Sequence, residues 1–90
     1  MEKKKYSAQY FEEIVTKNGD VKPTEFSCIE FENIGSVNAR INNVPLTSGG
    51  FPRVYNNLPD TIIKSSFTIV FDENGSDKRI LIKKTFYNEL

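Results

Sequence analysis

The sequence predicts an all-β domain, a small antiparallel β-sandwich or barrel of six to seven strands with an N-terminal arm or short helix ahead of it. Three observations carry this expectation. Residues 26–87 alternate apolar and polar side chains in short runs, the period of a half-buried strand. Clusters rich in Asn, Gly, Pro and Ser separate those runs at regular intervals. The chain has 90 residues, which allows one domain and leaves no room for the crossover helices of a parallel sheet.

Residues 1–25 differ in character from the rest and form the predicted arm, the β-domain occupying 26–90. Within the arm, Tyr6, Tyr10 and Ile14 fall four apart with Phe11 and Val15 beside them, a helical stripe over residues 7–17. Ser7 stands where an N-cap would, and Asn18-Gly19 where a helix would stop. The same segment also reads as a hairpin turning at Asn18-Gly19, so helix and strand both stay open there. Pro23 then forces Lys22 into an extended backbone.

The first core strand spans Phe26 to Glu32, with Ile29 and Phe31 on one face and Cys28, Glu30 and Glu32 on the other. After a turn at Asn33-Ile34-Gly35, residues 36–43 alternate cleanly, with Val37, Ala39 and Ile41 inward. Pro45 lacks a donor, so Val44 to Leu46 cannot be central in a sheet. Thr47 to Gly50 is a glycine loop, and Phe51 to Tyr55 reads as a short edge strand blunted by Pro52. Phe67, Ile69 and Phe71 share a face of the next strand, Glu73 to Ser76 is the expected hairpin turn, and Ile80 and Ile82 point inward on the return. A faint repeat at an offset of forty residues sets Ile29, Phe31, Gly35 and Ser36 beside Ile69, Phe71, Gly75 and Ser76. Two equivalent hairpins facing one another would produce it, as would convergent turn chemistry.

Composition excludes several classes of function. There is no histidine, so the commonest general base is missing. Cys28 is the one cysteine, which rules out an internal disulfide and the usual zinc sets, and its mid-strand position suits a small hydrophobe better than a nucleophile. Twelve basic and twelve acidic side chains cancel, against a nucleic-acid binder that needs several phosphate contacts. No apolar run is long enough to span a bilayer, and no hydrophobic segment follows the charged start as it would in a secretory signal.

The remaining candidates are weak. Glu30 and Glu32 project from one strand face about 7 Å apart, a spacing used by glycosidases, but a charged face that discourages mispairing explains them better. Asp72 to Asp77 has oxygens at alternate positions like a calcium loop, yet lacks the later bidentate acid. Lys3 to Lys5 reads as a solvated tail. No catalytic, metal or cofactor residue is therefore expected, and no small-molecule substrate. A chain this short buries only about 60–65% of its unfolded surface, so assembly is the natural supplement to a small core. Tyr6, Tyr10, Phe11 and Ile14 in the arm, and Phe51 and Tyr55 in the domain, are the candidate interface residues.

Gly35 to Leu46 (GSVNARINNVPL), followed by Gly49-Gly50 and by the closing Arg79 to Lys84 (RILIKK), resembles small β-sandwich structural proteins of tailed-phage virions. The resemblance covers roughly residues 26–86, and Asn43 stands where a glycine would be more usual. It implies a virion protein made in a host cytoplasm: a capsid decoration, head–tail connector or tail component. Its partners would be copies of itself or other virion proteins. Two other classes remain in view. One is a carbohydrate-binding or adhesion module using Phe51, Tyr55 and the loop at 47–50. The other is a small inhibitor presenting an edge strand.

Overall fold

In the computed structural model, which describes residues 4–22, 26–72 and 75–90, every regular element is a strand. They are β1 (Tyr6–Val15), β2 (Gly19–Val21), β3 (Cys28–Asn33), β4 (Ala39–Ile41), β5 (Val44–Leu46), β6 (Arg53–Tyr55), β7 (Phe67–Phe71) and β8 (Ile80–Glu89). All pairings are antiparallel, in two four-stranded sheets ordered β1-β8-β3-β6 and β2-β7-β4-β5. The inward faces meet in one apolar cluster built from Phe26, Ile29, Phe31, Ile41, Phe67, Ile69, Ile80 and Ile82 with smaller neighbours. This is an all-β architecture consistent with a small sandwich, with eight strands rather than six or seven.

The helix expected over 7–17 is instead β1. A spacing of four is also a multiple of two, so Tyr6, Tyr10 and Ile14 share a strand face just as they would share a helical one. Aromatic and β-branched residues favour the extended state, and β8 supplies a hydrogen-bonding edge along the whole segment, from Tyr6 opposite Glu89 to Val15 opposite Ile80. Nor is there a hairpin at Asn18-Gly19. β1 pairs β8 in one sheet and β2 pairs β7 in the other, so this turn carries the chain between sheets. The Asn18 amide oxygen accepts the N–H of Phe71 at 2.8 Å and fixes the crossing.

The turn expected at Glu73 to Ser76 also differs. Glu73 and Asn74 lie outside the described residues, but β7 and β8 belong to different sheets and do not pair as a hairpin. The two repeated segments are therefore arches, each crossing from one sheet to the other, and they interlock. β3 pairs β8 and β4 pairs β7. At the crossings Ile34 N–H bonds the Arg79 carbonyl and Asp72 N–H bonds the Asn38 carbonyl. Gly35 is required where the arches touch, because a Cβ there would come within 2.8 Å of the Arg79 backbone nitrogen.

The hairpin that does form joins β4 to β5 through Asn42 and Asn43, both at positive φ (51° and 66°). Both central residues of a type I′ turn need that conformation, and asparagine tolerates it. Pro45 sits on β5, at a sheet edge, as its missing donor requires.

Candidate interaction surface

β8 alternates its side chains between the two faces of its sheet, and β1 follows it through the register. On the core side Val15, Glu13, Phe11, Gln9 and Ser7 stand opposite Ile80, Ile82, Lys84, Phe86 and Asn88. On the outer side Ile14, Glu12, Tyr10, Ala8 and Tyr6 stand opposite Leu81, Lys83, Thr85, Tyr87 and Glu89. β3 continues the outer rows with Glu32, Glu30 and Cys28, and Val54 of β6 lies opposite Glu30.

Charges on both faces are paired. Lys83 Nζ lies 3.7 Å from Glu30 on the outer face. Lys84 Nζ lies 3.3 Å from Glu13 on the other, and 5.4 Å from the centre of the Phe26 ring. Exposed pairs of this kind contribute at most about 1 kcal/mol; Lys84–Glu13 favours the register of β1 on β8, and Lys83–Glu30 that of β3 on β8. Phe11 packs edge-on against Phe86, ring centres 5.1 Å apart, and Phe86 in turn meets Phe26. With Lys84 and Glu13 these two rings line a hollow of about 290 Å³ beneath the β1–β8 ribbon.

Of the candidate interface residues, Tyr6, Tyr10 and Ile14 come together on the outer face of β1, while Phe11 takes the opposite face. Tyr10 is 74% exposed, and Phe11 and Ile14 are each 55% exposed. Phe51 and Tyr55 belong to the other side of the molecule, at β6. Tyr55 turns its ring toward Phe31 and Phe67 at centroid distances of 6.4 and 5.1 Å, while Phe51 stands 95% exposed. Tyr55, Asn42, Asn57 and Lys64 help to line a shallow cleft of about 420 Å³, but Phe51 is not among its walls. The six residues thus divide between two edges of one sheet.

Tyr87 and Cys28 join Tyr10 on the outer face. The register of β3 and β8 puts them on a common side, and their approach to Tyr10 depends on β1 lying next to β8. The neighbouring Cys28, then partial burial, hold the Tyr87 phenol above its usual range, and Tyr10 adds to this. Because the folded-state value is raised, any stability it contributes is fully present below the ordinary tyrosine range and is lost as pH rises from there through the raised folded value. Cys28→Ala is expected to lower the Tyr87 titration midpoint in a phenolate absorbance titration; an unchanged midpoint would mean that the two groups are not neighbours.

Of the residues considered for chemistry, Cys28, Glu30 and Glu32 share the outer face of β3, while Asp72 and Asp77 lie at the second arch. Glu30 is engaged by Lys83 on an open sheet face. The Cys28 thiol faces the Asn57 carbonyl at 3.8 Å. Asp77 is held by Arg79 through two contacts of 2.6 and 3.2 Å, which keep its carboxyl below the usual range. Among the described residues no cluster of three or more His, Cys, Asp or Glu side chains is placed to hold a metal ion. The most prominent surface feature is therefore the face and free edge of β1. No protein-family model, no curated protein and no solved structure matches the chain.

Proposed function

We propose that this chain is a structural assembly protein that works by packing against other protein surfaces. Its setting would be a tailed-phage virion, as a capsid decoration, head–tail connector or tail component. The observation that supports this best is β1, a ten-residue strand on the open edge of its sheet carrying three large apolar side chains more than half exposed. A monomeric domain ordinarily blunts or covers such an edge, because its unpaired backbone groups recruit another strand. The virion setting rests on the resemblance of residues 26–86, and the edge supports the wider reading of assembly by contact.

The test is sedimentation velocity and negative-stain electron microscopy of the full chain, with immunodetection in particle fractions of its native source. Discrete oligomers, or presence of the chain in a high-mass particle, support the reading. A chain that is monomeric throughout and absent from every particle fraction overturns it.

A further inference from the structure

The two sheets have four edges, and three of them are protected. β2, β5 and β6 are three residues long, and β5 carries Pro45. Short edge strands and proline are the common devices against unwanted pairing. β1 has ten residues and no proline, and among the described residues no strand covers its outer side.

The ladder shows which backbone groups that edge presents. Ile34 N–H bonds the Arg79 carbonyl, in step with the β3–β8 register, so odd-numbered residues of β8 bond toward β3. Leu90 N–H bonds the Lys5 carbonyl, in step with the β1–β8 register, so even-numbered residues of β8 meet odd-numbered residues of β1. The N–H and C=O groups of Tyr6, Ala8, Tyr10, Glu12 and Ile14 therefore point out to the open edge.

A second feature makes this edge an incomplete structure. β3 accompanies β8 only as far as Cys28 opposite Thr85. Beyond that point, among the described residues, Phe86 to Glu89 pair with β1 alone, at Gln9 to Tyr6, with Pro59, Asp60 and Ile62 bordering a hollow beside Tyr6 and Tyr87, and the molecule is drawn out to 55 Å against 19 and 17 Å in the other directions. A ribbon of two paired strands is marginal in water, and further strands are what stabilise it.

We propose that a second copy of this chain docks on β1 by antiparallel edge pairing, with Ala8 opposite Ala8 on the two-fold axis. This register follows from charge and parity. A two-fold axis normal to the sheet pairs even residues with even ones, which are the residues whose backbone groups point outward. With Ala8 at the centre, Tyr6 faces the second copy's Tyr10 and Lys4 faces its Glu12. On the other face Lys5 lies diagonal to its Glu13, within reach of long side chains. The basic start and acidic end of the segment from Lys4 to Glu13 are thus self-complementary when antiparallel. The ribbon becomes the middle of a four-stranded sheet ordered β8-β1-β1-β8, and both open edges disappear. This inference rests on the assembly reading and names its partner.

The experiment is light scattering on the full chain through a micromolar concentration series, for the parent and four variants. Ala8→Pro removes an outward-facing donor and no bond to β8, a position where an edge strand accepts proline. Lys4→Glu and Glu12→Lys each place like charges opposite one another, and the double variant K4E/E12K restores the pair with its sign reversed. The parent is expected to pass from monomer to dimer mass, A8P to dimerise at least tenfold more weakly, each charge variant to weaken severalfold, and the double variant to recover. If A8P does not fold, the charge series decides alone. A parent monomeric at every concentration, or a dimer indifferent to the charge series, overturns the proposal. A monomer that still enters a high-mass particle sinks the dimer and leaves the assembly reading standing; a dimer absent from any particle does the reverse.

Discussion

Phe31→Ala is expected to leave the chain largely unfolded at room temperature. Phe31 is fully buried at the centre of β3, opposite Ile82 on one side and Arg53 on the other. Its ring meets Phe67 across the core at 5.1 Å and Tyr55 edge-on at 6.4 Å, so it ties the two sheets and anchors the β6 edge. Removing a buried phenylalanine costs about 3–5 kcal/mol, the lost transfer energy plus that of the cavity left behind. Small domains have total stabilities near the lower end of about 5–15 kcal/mol, so most of the margin would go. Where the variant still folds, its melting temperature should fall by about 15 °C or more. Phe31→Leu keeps most of the volume and should cost much less. Urea unfolding followed by tyrosine fluorescence checks both; a loss below about 1 kcal/mol for Phe31→Ala would contradict the packing of this ring.

Asn33 should be the most sensitive polar position. Its side chain is buried at the end of β3, where the first arch leaves one sheet for the other. The amide nitrogen donates to the carbonyls of Val37 at 2.8 Å and Leu46 at 3.0 Å, and the amide oxygen accepts the N–H of Gly35 at 3.2 Å. One side chain thus closes the turn on itself and joins it to β5 of the opposite sheet. Asn33→Ala takes this donor from the Val37 and Leu46 carbonyls in a site from which water is largely excluded, at about 1–3 kcal/mol for each group left unmade, while Gly35 N–H keeps its bond to the Arg79 carbonyl. Asn33→Asp is the sharper comparison. It is nearly isosteric, but an ionised carboxylate cannot donate to two carbonyls, so it should destabilise at least as much as alanine at neutral pH. Thermal denaturation of the two variants at pH 7 is the check; if the aspartate variant matched the parent, the amide would not be the clip that joins the sheets.

Asn33 also illustrates the reach of sequence reading. As part of an Asn-Ile-Gly cluster it marks a turn, and a turn is there. That the same amide also holds Leu46, thirteen residues on, could not be read locally. β1 shows the converse. Its spacing of four suits both a helix and one face of a strand, and the choice was made by β8, more than sixty residues away in the chain. The hairpins expected at Asn18-Gly19 and at Glu73 to Ser76 failed for a related reason. A turn signal tells where the chain reverses or bends, but not whether the next strand returns to its neighbour or crosses to the facing sheet.

What the sequence determined by itself was the face of each core strand. Ile29 and Phe31, then Val37, Ala39 and Ile41, then Phe67, Ile69 and Phe71, and Ile80 and Ile82 are all buried as their alternation requires, because strand side chains change face at every residue and burial is a local consequence of that period. Tertiary structure alone decided the neighbours: β3 beside β8, β4 beside β7, and β1 on an open edge. Alternation says which side of a strand is apolar and is silent on which strand lies next to it. Pairing is settled by the joint packing of distant segments into one core, and by backbone hydrogen bonds that every residue except proline offers alike. The candidate surface belongs to that second kind of information. Tyr6, Tyr10, Phe11 and Ile14 were recognisable as apolar, but the open edge on which they stand exists only because β8, with β3 on its other side, leaves β1 outermost.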